Sequence, residues 1–378
     1  GRGGVGCDTA HRLSSGPGDF CLQRLFLRED DAVFLADLSA ENTGWVKAHT
    51  GCRTVTPVSR ARLLAMIEAR HGAALLDEAV HGLERRFPDL SARTVMTGRQ
   101  GLVFGLLAGL ALAALAWAPG RTAQALVALL SLAFAASGIF RALLAVLGAR
   151  RAAPPLVTRP GVLPTYTVMV PLYREAAVVP DLARSLGALD YPAALLDLKL
   201  VVEADDAETI AAAEQARGLA GFEIVRVPPG GPRTKPKAAN YALAFGRGEY
   251  LVIYDAEDRP EPDQLLKAVA LFRASPRNTA CLQARLSIHN AGQNWLTRMF
   301  ALDYALWFGA LLPGLDRIGV PMPLGGTSNH FRTAILRDIG GWDAFNVTED
   351  ADIGIRLSQF GHRVSMLDST THEEAPTA

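Results

Sequence analysis

Leu251-Val252-Ile253-Tyr254-Asp255-Ala256-Glu257-Asp258 decides how the chain is read. Apolar residues run straight into an acidic cluster, and Arg259-Pro260 follows at once. An apolar run of this length predicts a buried strand. The acids then fall at its carboxyl end, where open α/β sheets bind ligands. Carboxylates spaced i, i+2 or i+3 around a tight turn can converge on one hard divalent cation. The same pattern also serves as a solvated turn closing a core strand, so the neighbouring sequence has to decide.

The neighbouring sequence repeats the pattern. Tyr166 to Val170 predicts a strand ending at Pro171, Leu198 to Val202 a second, and Phe222 to Val227 a third. The second runs into Glu203-Ala204-Asp205-Asp206. Helical stretches over 175–188, 206–217 and 235–247 lie between. Strands alternating with helical crossovers predict an α/β fold with a mostly parallel sheet covered on both faces. No Gly-x-Gly-x-x-Gly follows a strand, which argues against a dinucleotide-binding fold.

Two strand ends therefore carry acids, at Asp205-Asp206 and at Asp255-x-Glu257-Asp258, and both face the same rim of the sheet. Between them lies Arg233-Thr234-Lys235-Pro236-Lys237-Ala238-Ala239-Asn240, entering a helix after Pro228-Pro229-Gly230-Gly231-Pro232. Basic residues at a helix N-terminus suit a phosphate; a solvated helix start is the plainer alternative. Acids, basic residues and one divalent ion together suggest a nucleoside diphosphate.

A third group is Asn346-Val347-Thr348-Glu349-Asp350-Ala351-Asp352, ahead of the apolar helix face Ile353, Ile355, Leu357 and Phe360. Its carboxylates could simply cap the helix. Asp350 could instead act as general base on an acceptor hydroxyl within hydrogen-bond reach. That oxygen would attack carbon 1 of a sugar opposite the departing diphosphate and invert the anomeric centre. Upstream, Pro321-Met322-Pro323-Leu324-Gly325-Gly326-Thr327-Ser328-Asn329-His330-Phe331 is a loop of small residues that lets an acceptor approach the backbone. His330 either bonds a sugar hydroxyl or supports the loop.

The first 160 residues differ in kind. The chain of 378 residues starts Gly1-Arg2-Gly3-Gly4, so its natural start is expected upstream. Residues 57–87 read as helical, with Ser59 as cap and a break near His71-Gly72. Residues 1–95 are expected to form a small α or α+β domain, mainly helical, without a chemical constellation. His49, His71 and His81 are scattered and read as surface or structural residues. Residues 101–118 carry no charge, and after Pro119-Gly120-Arg121 a second apolar run extends to Gly148. Their length makes 101–149 a transmembrane hairpin of two helices, with a buried hairpin of a soluble protein as the alternative. The hairpin begins too deep in the chain for a signal peptide. Arg93, Arg99, Arg150, Arg151 and Arg159 flank it, whereas the connecting loop holds only Arg121. This asymmetry puts both ends in the cytoplasm, and Trp117 fits the far interface. Prolines 154, 155 and 160 mark a linker over 150–163.

Lys+Arg and Asp+Glu balance at 38 each, so no basic field speaks for nucleic acid. Cys7, Cys21, Cys52 and Cys281 show neither metal nor redox spacing and read as free thiols in a reducing compartment. From Ser287 to Leu312, Trp295, Met299, Phe300, Leu302, Tyr304, Trp307 and Phe308 form an aromatic-rich amphipathic stretch. It suits either a membrane interface or the core of the same domain.

Residues 161–376 resemble a family 2 glycosyltransferase of the processive type, similar to bacterial cellulose synthase-like enzymes. The resemblance rests on Val170-Pro171-Leu172-Tyr173-Arg174-Glu175, Asp205-Asp206, Lys235-Pro236-Lys237-Ala238-Ala239-Asn240, Asp255-Ala256-Glu257-Asp258, Gly325-Gly326-Thr327-Ser328-Asn329 and Thr348-Glu349-Asp350, in that order. It implies a GT-A fold over a cytosolic catalytic domain at 164–378 and a cofactor of Mg2+ or Mn2+. The activity it implies is inverting transfer from a UDP-sugar to a growing polysaccharide at the bacterial inner membrane. Membrane lipid and other polysaccharide synthesis or export subunits would be partners. Alternatives are a non-processive transferase making a lipid-linked or single-linkage glycan, and an inactive scaffold subunit of an export complex. Carried over, Tyr173 and Glu175 line the nucleobase pocket, Asp205 and Asp206 hold the uridine and help position the metal, and Lys237 meets the uridine or phosphate end. Asp255 and Glu257 take the metal-binding place, with Asp258 competing for the second position, and Asp350 is the base. Gly326, Thr327, Ser328, His330 and Glu349 fall on the acceptor side. The chain departs from the pattern at Glu257, where the family has aspartate. It also ends at Ala378 before a Gln-x-x-Arg-Trp motif, so it is expected to be a fragment. The N-terminal region weakly resembles a small domain that precedes the spans in some relatives and occurs on secretion ATPases.

Overall fold

The computed structural model describes residues 20–21, 26–29, 32–36, 39, 43–44, 46, 54–149 and 161–377. His49, Cys7, Cys52, Arg150, Arg151, Arg159 and most of the expected linker lie outside the described residues. Four short strands come first: β1 (Phe20–Cys21), β2 (Phe26–Glu29), β3 (Ala32–Leu35) and β4 (Thr54–Pro57), hydrogen-bonded in that order. Helix α1 (Arg60–Arg86) follows, with the Ser59 hydroxyl accepting from the Arg62 amide at 3.3 Å. It runs unbroken through His71-Gly72, contrary to the expected break. A glycine inside a helix costs about 1 kcal/mol relative to alanine. Burial of Leu63, Leu64, Ile67, Leu75, Ala79 and Leu83 along one stripe outweighs that cost.

Helix α2 (Gly98–Trp117) opens on a capping box between Thr97 and Gln100. Helix α3 (Pro119–Ala149) follows directly. Both are long and apolar enough to cross a membrane, and their apolar stretches are exposed on all sides rather than buried.

The rest of the chain builds one eight-stranded sheet. In chain order the elements are β5 (Tyr166–Leu172), α4 (Val179–Gly187), β6 (Leu196–Glu203), α5 (Ala207–Ala220), β7 (Glu223–Val227), α6 (Lys235–Leu243), β8 (Tyr250–Ile253) and β9 (Arg259–Pro260). Then come α7 (Gln264–Ala274), β10 (Thr279–Ile288), α8 (Trp295–Leu306), a π-helical turn over Trp307–Leu311, and α9 (Leu312–Ile318). Last are β11 (Asn329–Arg332), α10 (Thr333–Asp338), α11 (Glu349–Gln359) and β12 (Arg363–Glu373). The strand order is β7-β6-β5-β8-β11-β10-β12-β9.

The sheet is mixed, which corrects the expectation of a mostly parallel one. The half from β7 to β8 is parallel throughout. Beyond it β11 runs antiparallel to both β8 and β10, β12 is parallel to β10, and β9 is antiparallel to β12. The chain enters β11 from the Gly325–Ser328 loop at the carboxyl end of β8, so it can only return along β8 in the opposite sense.

Alternating side chains along the central strands feed two cores. Val168, Val170, Leu200 and Val202 join α4, α5 and α7 on one face. Met169 and Val201 point to the other, where α6, α9 and α11 pack. Leu63, Leu64, Ile67, Leu75 and Ala79 of α1 belong to that same second core. The region expected as a small domain over 1–95 therefore shares its core with the sheet. Asn240 fastens the junction: its Nδ2 donates to the carbonyls of Ala79 (3.0 Å) and Trp342 (2.7 Å), and its Oδ1 accepts from the Trp342 amide at 2.9 Å. Below the sheet, Lys199 is fully buried between Asp197 (3.1 Å) and Glu223 (3.0 Å).

Helix α8 exposes Trp295, Met299, Leu302 and Leu306 along one stripe, so this face is surface rather than core. Its continuation docks on α3 with no room for side chains. A Cβ on Gly148 would lie 1.9 Å from the Ala310 carbonyl oxygen, and one on Gly314 would lie 2.4 Å from that of Leu144.

Candidate functional site

A cavity of about 360 Å³ opens at the carboxyl ends of β5, β6 and β8. Pro171, Leu172, Tyr173, Glu175, Glu203, Arg233, Thr234, Lys235, Ala238, Asp255, Ala256 and Glu257 line it. Parallel strands deliver these residues because all their carboxyl ends share one edge.

One wall is the turn after β5. Arg174 holds the left-handed backbone conformation at φ 58°, uncommon for a side chain of this size. Asp206 fixes it there. One carboxylate oxygen accepts from the Arg174 amide at 2.5 Å and the other from the Thr209 amide at 3.2 Å, capping α5. The Glu175 amide donates to the Thr209 hydroxyl at 3.1 Å. Tyr173 and Glu175 thereby face the cavity while Asp206 is buried behind them. Burial opposes ionisation of Asp206, but the Arg174 and Thr209 bonds outweigh it and hold its carboxyl below the usual range. The expectation that Asp206 itself contacts a donor is therefore corrected: it shapes the wall. Asp205 remains at the rim, paired with Arg233, which also donates to the Tyr173 hydroxyl at 3.3 Å.

The start of α6 forms the second wall. Lys237 is fully buried, with its Nζ 2.7 Å from one Glu203 oxygen and 3.2 Å from the Gly230 carbonyl. It cannot meet a ligand in the cavity, contrary to expectation, because residues two apart on a helix point to nearly opposite sides. Lys235 takes the cavity side instead, donating to Asp255 and, at 2.7 Å, to the Gly326 carbonyl. Neither Lys235 nor Arg233 stood out in the sequence beyond membership of a basic run.

The acidic turn after β8 separates its members. Asp255 and Glu257 line the cavity. Asp258 turns inward, 2% exposed, and accepts from the Asp255 amide at 2.8 Å and from the Thr327 hydroxyl. Burial, with Asp255 and Glu373 nearby, pushes its carboxyl well above the usual range. Asp258 is thus the brace of the turn and not a competitor for a metal.

The loop before β11 divides in the same way. Gly326 faces the site, and a Cβ there would lie 3.6 Å from the Asp350 carboxylate. Thr327, Ser328 and His330 are interior, which corrects their placement on the acceptor side. The Ser328 hydroxyl donates to the Thr371 hydroxyl at 2.6 Å. His330 donates through Nε2 to Gln264 (3.1 Å) and accepts at Nδ1 from the Tyr166 hydroxyl (2.7 Å). Burial pushes its pKa down to about 3, so it is a neutral strut. Glu349 and Asp350 open α11, half-buried, and the Ala351 amide donates to Asp350 at 2.8 Å. Burial raises the Glu349 pKa.

One group had no sequence signal. Glu373, the last residue of β12, comes close enough to Asp255 and Glu257 to feel their charge. Burial first, and then Asp255, push its pKa up to about 7, against a bond to Tyr304. Only the parallel pairing of β12 with β10 brings it there.

Asp255 and Glu257 offer hard oxygen donors suited to Mg2+ or Mn2+. No cluster of three or more His, Cys, Asp or Glu ligands is preassembled among the described residues. Two carboxylates with the remaining positions left to phosphate oxygens and water fit Mg2+-type binding better than a dedicated protein cage would.

Comparison with known proteins extends this geometry. The chain is 29% identical over 200 residues to a beta-monoglucosyldiacylglycerol synthase of Trichormus variabilis, covering 52% of this chain and 42% of the relative. It is 31% identical over 228 residues to the enzyme of that name from Synechocystis, covering 59% and 47%. The chain thus spans less than half the length of these relatives. A mannosyltransferase from Pyrobaculum calidifontis, solved with GDP-Man and Mn2+, superposes with a TM-score of 0.53 at 22% identity, covering 66% of this chain and 68% of that one. That likeness is one of fold, of the GT-A kind. Residues 164–378, from the strand that opens the sheet to the end of the chain, match the profile described as Glycosyltransferase like family 2, and the chain belongs to that family.

Proposed function

We propose that the protein is an inverting glycosyltransferase that moves a sugar from a UDP-sugar to an acceptor hydroxyl, with Asp350 as general base. The observation that carries this reading is the convergence on Lys235: its ammonium joins Asp255 to the Gly326 carbonyl, and Gly326 abuts Asp350. Diphosphate-side and acceptor-side groups thus meet across a single residue. Tyr173 and Glu175 receive the nucleobase in the cavity, and Arg233 and Asp205 close its rim. Asp255 and Glu257 would hold Mg2+ or Mn2+. When bound, such an ion neutralises charge on the departing diphosphate. Asp350 takes the proton of the acceptor hydroxyl, whose oxygen forms the new bond to carbon 1 as the bond to the diphosphate oxygen breaks.

The acceptor in this reading is a growing polysaccharide, as in cellulose synthase-like enzymes. The hairpin α2–α3 spans the bacterial inner membrane, with the catalytic sheet on the cytoplasmic side. A second reading, transfer to a lipid acceptor, is favoured by the names of the two relatives above, both beta-monoglucosyldiacylglycerol synthases. A donor screen on the full-length protein in membranes, with Mg2+ or Mn2+ and linkage analysis of the product, tests both. A polymeric product supports the first reading and a single-sugar glycolipid the second. If no nucleotide-sugar is consumed, the proposal falls.

A further inference from the structure

Lys235 occupies the carboxylate that a metal would need. Its Nζ lies against Asp255 Oδ1 and 2.7 Å from the Gly326 carbonyl, and the side chain is largely but not fully enclosed. The neighbouring cations have partners of their own: Lys237 is held by Glu203, and Arg233 by Asp205. On the acidic side, Glu175 and Glu373 stand near Asp255 and Glu257. Without a cation on Asp255, this group of carboxylates would repel itself in a partly enclosed space.

We infer that Lys235 is a placeholder cation, which neutralises Asp255 when the cavity is empty and moves to the diphosphate when a divalent ion takes Asp255. This inference rests on the proposed metal and donor site. A divalent ion and an ammonium held on the same carboxylate repel each other strongly in a partly enclosed space, which favours departure of Lys235 as the ion arrives. The diphosphate supplies the displaced ammonium with a new anion, and the Lys235 side chain swings on four rotatable bonds while its backbone stays in α6. Metal and nucleotide would then bind with positive coupling: each makes the place the other needs. Metal alone has to displace Lys235 with nothing to receive it, and binds weakly. Coupling is reciprocal, so nucleotide alone binds weakly as well.

Mn2+ binding to the full-length protein in detergent, followed by electron paramagnetic resonance with and without UDP, tests this. In the wild type, UDP should tighten Mn2+ binding by about tenfold or more. Lys235→Met should tighten Mn2+ binding in the absence of UDP by a similar factor and shrink the gain from UDP. Lys235→Arg, which keeps the cation, should behave like the wild type. Thermal melting of each variant checks that the fold is kept. If Lys235→Met binds Mn2+ without UDP no better than the wild type, the placeholder role is overturned while the metal site stands. If the wild type binds no Mn2+ even with UDP, and Asp255→Ala changes nothing, the site and the inference fall together.

Discussion

At the mouth of the cavity Lys235, Asp255 and Glu257 are partly exposed, and their pairings can change. On its floor Lys237, Glu203, Asp206 and Asp258 are buried, and each is committed to fixed partners. The two sets use the same residue types, with Lys235 two positions from Lys237 and Asp255 three from Asp258, and differ in what solvent and ligand can reach. A charge at the mouth can exchange partners at little cost, since an accessible ion pair contributes at most about 1 kcal/mol. A charge on the floor cannot, because a buried ion that loses its partner keeps its desolvation cost. In the proposed function, chemistry belongs to the first set and shape to the second.

The sharpest way to break this division is Asp350→Asn. Transfer should fall by roughly 10²–10⁴-fold, the worth of a general base, while UDP binding measured by calorimetry is retained. Loss of UDP binding would move Asp350 out of the role of base. Asp255→Ala comes next: metal-dependent turnover of the nucleotide-sugar should fall by about 10²–10³-fold with a nearly unchanged melting curve. A large loss of stability would mean that Asp255 belongs to the floor.

Lys237→Met and Lys235→Met compare the two sets directly by chemical denaturation. The first leaves Glu203 buried and unpaired and should cost about 3–5 kcal/mol. The second should cost clearly less, because solvent reaches the Lys235–Asp255 pair in part. Equal losses would erase the distinction. Asp206→Ala should cost about 1 kcal/mol from the lost helix cap. Its pH dependence has a definite sign. The folded pKa of Asp206 is lowered, so its contribution is complete above the unfolded value of about 3.9 and disappears as pH falls through the folded value. The gap between wild type and Asp206→Ala should therefore close in acid. A gap that widens there would contradict the assignment.

Strands β5 and β8 were legible as nearly unbroken apolar runs, as expected for strands covered on both faces, and β6 and β7 from the apolar residues around Lys199 and Arg226. The acids at their ends were legible for the same reason, since alternating helical crossovers put those ends on one edge. What the residues could not disclose was which way each polar side chain turns. Lys235 and Lys237 are indistinguishable as a basic pair, and only the phase of α6 sends one to the cavity and the other to Glu203. Asp255 and Asp258 differ only by where the Thr327 hydroxyl happens to meet the turn. The antiparallel strand β11 was hidden behind a run of small residues, and β12 depends on its pairing with β10, too distant in sequence to read. His330, which the sequence left between bonding a sugar hydroxyl and supporting the loop, is a strut, because its two bonding partners come from β5 and α7.

The backbone-to-backbone crossing of α3 with the turn before α9 sets a distance. Helix α3 has 31 residues and is about 46 Å long, against a hydrocarbon layer of about 30 Å. With α3 upright in a bilayer, roughly 15 Å of it stands clear of the hydrocarbon, and the crossing at Gly148 clamps the catalytic body to that protruding end. The clamp has no slack: enlarging either glycine would force the two segments apart. If the helices span a bilayer as proposed, the catalytic body would stand as a gantry at fixed height, and an acceptor would have to reach up to Asp350 from there.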